Sequence, residues 1–227
     1  MSSKSKAIIL GIDDVLYDAT LQSSNARLAA VKAMIEAGLP VDVENGFRAL
    51  EEIVKNAGPD NTKHFDMLLE KLGLEWKPSV VAAGVVAYRN TSPVFLKPYP
   101  DTVPTLLKLR DKGYKLGVAS EGKSVKQWQK LISLGLQHLF DAVVTSEDLK
   151  LKSLTEAVLR RTLDDLGTHP SNALFVDANL DRIELANRAG LLTIRLRRGG
   201  AKLEKSRSQP KYEMKTLSEI LPIVAKL

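Results

Sequence analysis

The chain contains no cysteine. That excludes a disulfide framework, a thiolate nucleophile and a cysteine-ligated zinc site. Its three histidines, His64, His138 and His169, lack metal-ligand spacing and argue against a histidine-rich metal centre. No apolar stretch reaches the ~18 residues that suggest a membrane span. The opening "MSSKSK" leads into an apolar run too short and too promptly acidic for a signal peptide, so a cytoplasmic protein without membrane contact is expected. What is present is 227 residues, 44% of them apolar, enough for one large domain or a core carrying a smaller insertion.

The net charge of +6 is concentrated in one place. Between Arg195 and Lys215 stand Arg195, Arg197, Arg198, Lys202, Lys205, Arg207, Lys211 and Lys215, against Glu204 and Glu213. Such a segment is either a solvated connector or a contact for a phosphate-rich partner such as RNA. Only Tyr212 interleaves it, which weakens any base-stacking role.

Five apolar runs have strand length and read as strands buried on both faces: "AIILGI", "YKLGVAS", "DAVVTS", "NALFVDA" and "LLTIRL". Amphipathic stretches ending in Gly alternate with the later ones: "TVPTLLKLRDKG", "SVKQWQKLISLG", "SLTEAVLRRTLDDLG" and "LDRIELANRAG". The alternation predicts a Rossmann-like α/β fold with a doubly wound parallel sheet. "TLSEILPIVAKL" closes the chain as a further helix.

Residues 19–96 break that rhythm. They offer four helical stretches and no strand, and are expected to form an inserted four-helix cap on a core of residues 1–18 and 97–227. "SPVFLKPYPD", stiffened by Pro93, Pro98 and Pro100, returns the chain to the core. The apolar "VVAAGVVAY" suits packing within the cap or pairing with a second copy, so monomer and dimer both stay open.

The order strand, "DDVLYD", helical insertion, "PYPDTVPTLLKLRDKGYKLGVASEG", "SEDLKLK", "ALFVDANLDRIELANRAGLLTIRL" resembles the haloacid dehalogenase (HAD) superfamily, in particular its archaeal phosphatase-like members with a helical cap. The likeness covers essentially the whole chain and is most specific over Tyr99–Gly122 and Ala173–Leu196. It implies a magnesium-dependent site at the strand ends. Members begin with DxDx[TV], in which the first Asp forms a covalent intermediate and the second, two residues on, is general acid and base. A spacing of two at a strand end turns both carboxylates to one side.

Aligned on "DDVL", Gly11 stands at the first Asp and Asp13 at the second. Glycine supplies neither nucleophile nor metal ligand, and no shift of register produces a DxD pair here. The resemblance further implies Ser120 as the hydroxyl facing the phosphoryl group, with Glu121 and Gly122 completing an anion site before a helix. Lys152 comes nearest to the charge-neutralising lysine, although counting back from Gly167 puts Ser153 in its place. Asp177 and Asp181 join Asp13 as the magnesium ligands in one register, whereas in another Ala178 takes the ligand position. Arg182 beside them adds repulsion to a metal and could partly replace its charge.

These departures lead to the expectation of a non-catalytic protein that binds a small anionic or phosphorylated ligand, or a protein partner, around Gly11, Asp13, Ser120, Lys152 and Asp177, with weakened Mg2+ binding. The alternative is a weak magnesium-dependent phosphate monoester hydrolase in which Asp13 activates water. A second alternative is an RNA or ribonucleoprotein accessory acting through residues 195–215.

Overall fold

A computed structural model describes residues 6–200 and 209–227. The chain divides into two compact units, Met1–Thr20 with Leu96–Leu227, and Leu21–Phe95. The first is built on six parallel strands: β1 (Ala7–Leu10), β2 (Lys115–Ser120), β3 (Ala142–Thr145), β4 (Ala173–Asp177), β5 (Leu192–Leu196) and β6 (Tyr212–Met214). Their order is β3-β2-β1-β4-β5-β6, so the α/β expectation holds and the winding reverses between β1 and β4. Open sheets of this kind place ligands at the carboxyl ends of the strands at such a reversal.

Side-chain alternation assigns the two faces. Ile8, Leu10, Leu116, Val118, Val176 and Ile194 pack with Leu106 and Leu109 of α5 (Thr102–Asp111), Leu131 of α6 (Ser124–Ser133), and Ile220 and Val224 of a closing helix (Ile220–Val224). Ala7, Ile9, Ala119, Val144 and Phe175 pack on the other side with Val158, Leu159 and Leu163 of α7 (Glu156–Leu166) and Ile183 of α8 (Leu180–Arg188). Gly117 lets α7 approach β2: a Cβ there would stand 2.8 Å from Leu166 Cδ1. Gly167 ends α7 at φ 61°, its amide and that of Thr168 donating to Asp164 and Leu163 carbonyls.

The second unit holds most of α1 (Ala19–Glu36), with α2 (Val43–Ala57), α3 (His64–Lys71) and α4 (Pro78–Phe95). Its core is Val31, Met34, Leu39, Leu50, Ile53, Leu68, Leu69 and Val80. Asp42 caps α2 by accepting from the Asn45 amide at 2.9 Å. In "VVAAGVVAY", Val80 and Gly84 are buried within this unit and Val86 is exposed.

Three elements differ from expectation. Helix α4 runs on through Pro93 to Phe95, because the proline costs only one backbone hydrogen bond near the helix end. Strand β6 was not expected: three residues on the sheet edge, with the charged Glu213 between Tyr212 and the buried Met214, are too short to show a strand pattern. The closing helix, labelled α9, is correspondingly shorter than its sequence pattern suggested.

Candidate active site

Strand β1 ends beside β4 with Leu10 opposite Val176, so Gly11 lies next to Asp177, and the Gly11 amide donates to the Val176 carbonyl at 3.0 Å. Residue parity turns both positions to the same face. A Cβ on Gly11 would overlap Asp177 Oδ2 and reach Cγ at 3.0 Å. The Asp177 carboxyl group therefore fills the space that a side chain at position 11 would need.

After Gly11 the chain turns tightly, the Leu16 amide donating to the Ile12 carbonyl at 2.9 Å. Asp14 sits in the turn at φ 57°, a conformation in which Asp is among the tolerated residues, and accepts from the Thr20 amide (3.0 Å) and hydroxyl (2.8 Å). That engagement gives Asp14 a structural role and leaves Asp13 as the acid that projects from the turn.

Asp13 receives the Tyr17 hydroxyl on Oδ1 at 2.8 Å, and Lys130 Nζ of α6 lies 2.7 and 2.8 Å from its two oxygens. Burial pushes its carboxyl up, but the Lys130 charge and the hydrogen bonds from Lys130 and Tyr17 outweigh this and hold it below the usual range. Asp177 is the opposite case. Burial raises it, and the nearby Arg182 charge with the Asn179 and Ala178 amides reverses this only in part. Its Oδ1 accepts from the Asn179 amide at 2.8 Å; its Oδ2 is buried without a hydrogen bond, 3.6 Å from Arg182 Nη1.

Ser120 ends β2, buried, its hydroxyl making only a 3.5 Å contact to the Glu121 carbonyl. The other expected anion-site positions serve the surrounding loops. The Gly122 amide donates to Ser146 Oγ at 3.0 Å, and Glu121 Oε2 accepts from the Leu154 amide at 3.1 Å. At the start of α6 the Ser124 amide is already taken by Glu147 at 2.8 Å.

The lysine differs from expectation. Lys152 is exposed and, among the described residues, makes no hydrogen bond or ion pair; the cation at Asp13 is Lys130. The available signal was the α6 pattern: Lys130 follows Gln127 by three and adjoins Leu131, on the flank of the buried stripe.

Magnesium takes oxygen ligands in near-octahedral array. Asp13 has both oxygens on Lys130, Asp177 has one oxygen on an amide and the other enclosed beside Arg182, and Asp181 is exposed on the first turn of α8. Among the described residues no three His, Cys, Asp or Glu side chains are grouped to hold a metal ion. The expected Asp13, Asp177 and Asp181 set is not assembled, and these donors do not fit magnesium.

The basic segment also changes character. Arg195 is 1% exposed and pairs with Glu213 at 3.6 Å, as Arg197 does at 3.3 Å. Arg198 pairs with Asp101 at 2.8 Å, stacks 3.8 Å from the centre of the Tyr99 ring and donates to the Val15 carbonyl. Arg195 and Arg198 are thus internal ion-pair partners, while Arg197 stays partly exposed; Lys202, Lys205 and Arg207 lie outside the described residues. No described helix is long and apolar enough to cross a membrane.

The model of the haloacid dehalogenase-like hydrolase family matches residues 14–196. The chain belongs to that family. It is 42% identical to a glyceraldehyde 3-phosphate phosphatase of Methanopyrus kandleri and 34% identical to one of Methanocaldococcus jannaschii, each alignment covering 98% of both chains. Among solved structures, a HAD phosphatase from Thermococcus onnurineus superposes with a TM-score of 0.68 at 26% identity, over 96% of this chain and 97% of the other. The expectation of a non-catalytic protein, drawn from Gly11 and its neighbours, is corrected by these relatives: proteins alike over nearly their whole length are named as phosphatases.

Proposed function

We propose that this HAD family member hydrolyses small phosphate monoesters, with glyceraldehyde 3-phosphate, the compound named for its relatives, as the first substrate to test. The observation that carries the reading is the 42% identity across the full chain, supported by Asp13 and Ser120 at adjacent strand ends. Gly11 offers no side-chain oxygen as nucleophile, so the route assigned to this chain is direct attack. A water oxygen bonds to phosphorus while the ester P–O bond breaks. The water's proton passes to Asp13, the leaving alkoxide takes a proton from solvent water, and Asp13 returns its own to solvent, so that the carboxylate is regenerated. Lys130 and Tyr17 keep Asp13 ionised and aimed, and the Ser120 hydroxyl has capacity to donate to a phosphoryl oxygen.

The test is phosphate release from glyceraldehyde 3-phosphate and p-nitrophenyl phosphate by wild type and Asp13→Asn. The substitution is expected to lower the rate by about 10²–10⁴-fold, the usual contribution of a positioned acid or base. Inversion at phosphorus and no borohydride-trapped aspartyl adduct are expected alongside. Wild-type release no faster than Asp13→Asn with every ester tried overturns the reading.

A further inference from the structure

The HAD phosphatases generally use Mg2+, yet the donors at these strand ends do not fit it. We propose that two fixed cations, Lys130 and Arg182, take over recognition of the phosphoryl group, so that the site binds phosphate without a divalent metal. The proposal rests on the hydrolase reading above.

The two cations reach the site from helices that follow the two strands flanking β1: α6 after β2, α8 after β4. Each holds one of the carboxylates that a metal would otherwise need. Lys130 spans both oxygens of Asp13, and Arg182 faces Asp177 Oδ2. Arg182 also lies near enough to Asp13 and Glu121 to interact with their charges. Neither head is sealed off: the side chains are 26% and 21% exposed. An ammonium has three donors and a guanidinium five, so both keep N–H groups for a ligand after serving their carboxylates.

A magnesium ion placed here would have to displace Lys130 and Arg182 from the carboxyl groups of Asp13 and Asp177, whereas a phosphate group meets two charged donors and the lightly used Ser120 hydroxyl, with the Asp13 carboxylate opposing it. The second, independent sign is Asp177. Its Oδ2 is fully buried, has no hydrogen-bond partner, and lies in the space of the missing Gly11 side chain. This buried carboxylate pairs with Arg182 at 3.6 Å and so holds it beside the strand ends. Arg182 is thus a cation built into the fold where the relatives' chemistry draws on a dissociable one.

Inorganic phosphate titrated calorimetrically into the full-length protein tests this, first in EDTA and then in MgCl2, with Mn2+ paramagnetic resonance as a separate readout of metal binding. Phosphate affinity is expected to be equal within about twofold in the two buffers. Arg182→Gln and Lys130→Met are each expected to weaken it by about tenfold, as loss of one charge-assisted hydrogen bond predicts. Should Arg182→Gln fail to fold, as thermal unfolding would reveal, Lys130→Met carries the test. No bound Mn2+ signal is expected.

Phosphate binding only with Mg2+, no phosphate binding in either buffer, or stoichiometric Mn2+ binding that Asp13→Asn abolishes overturns the proposal. The hydrolase reading fails separately, by absence of phosphate release from esters. Metal-dependent turnover would sink the present proposal and leave that reading standing.

Discussion

Two carboxylates at neighbouring strand ends meet opposite fates. Asp13, 38% exposed, has its charge stabilised by an ammonium at 2.7 Å and a phenol at 2.8 Å. Asp177, 1% exposed, has a cation at 3.6 Å and an oxygen without a hydrogen bond. Both are Asp within one cluster, and both lose hydration. What separates them is whether direct hydrogen bonds replace the lost water. The difference keeps Asp13 ionised in spite of its burial and makes Asp177 a packed structural acid.

The strongest way to break this comparison is Asp13→Asn, which is expected to abolish most phosphate release while Asp177→Asn retains far more of it. Equal losses in steady-state assays would mean that the roles are shared.

Next comes the pairing of positions 11 and 177. Gly11→Ala alone is expected to cost about 1–3 kcal/mol, the usual range for overpacking, because its Cβ overlaps the Asp177 carboxyl group. Combined with Asp177→Gly the cost should largely vanish, giving a coupling energy of about 1–3 kcal/mol in a urea double-mutant cycle. Additive effects would show that the two side-chain spaces are independent. Restoring an acid as Gly11→Asp likewise requires Asp177→Gly in the same chain.

A smaller effect lies in the pH dependence of stability. Asp177 is raised in the folded state, so it binds protons more tightly folded than unfolded. Its contribution is most favourable at pH below its unfolded value and falls away as pH rises through its folded one. Asp13 is lowered, and its contribution is present above its unfolded value and lost as pH falls through its folded one. Urea unfolding across pH should therefore flatten on the acid side in Asp13→Asn and lose the declining contribution on the higher-pH side in Asp177→Asn. The reverse assignment would contradict the hydrogen-bond argument.

The smallest effect is that of Lys152→Ala. With an exposed side chain, it is expected to change stability by no more than about 0.5 kcal/mol and to leave phosphate release intact, in contrast to Lys130→Met. A large loss of activity would return Lys152 to the site.

Much of this architecture is written locally. Buried strands such as "AIIL" and "ALFV" announce themselves by apolar content, and Gly167 marks the end of α7 by the conformation only glycine adopts easily. Ser120 and Asp177 end β2 and β4, and Gly11 and Asp13 lie just beyond the end of β1. The rest depends on register and reach. That Asp177 occupies the space beside Gly11 follows from Leu10 pairing with Val176, a relation between residues that share no local pattern. Lys130 escaped notice because a lysine on a helix flank looks like solvent-facing charge until its partner, 117 positions earlier, is folded against it. Arg198 shows the converse error: a member of a basic run turned out to be an internal strut.

That strut bears on the order of folding. Arg198 ties to the Val15 carbonyl across 183 positions of sequence, and β1 lies at the middle of a sheet whose other strands begin at Lys115. The turn carrying Asp13 is thus among the first segments synthesised and among the last to be secured. Closing so long a loop is a late event in any folding sequence dominated by local contacts. A chain truncated before Arg198 would hold most of the sheet and lack the brace on the turn that carries Asp13, so that turn is fully secured only with the final eighth or so of the polypeptide.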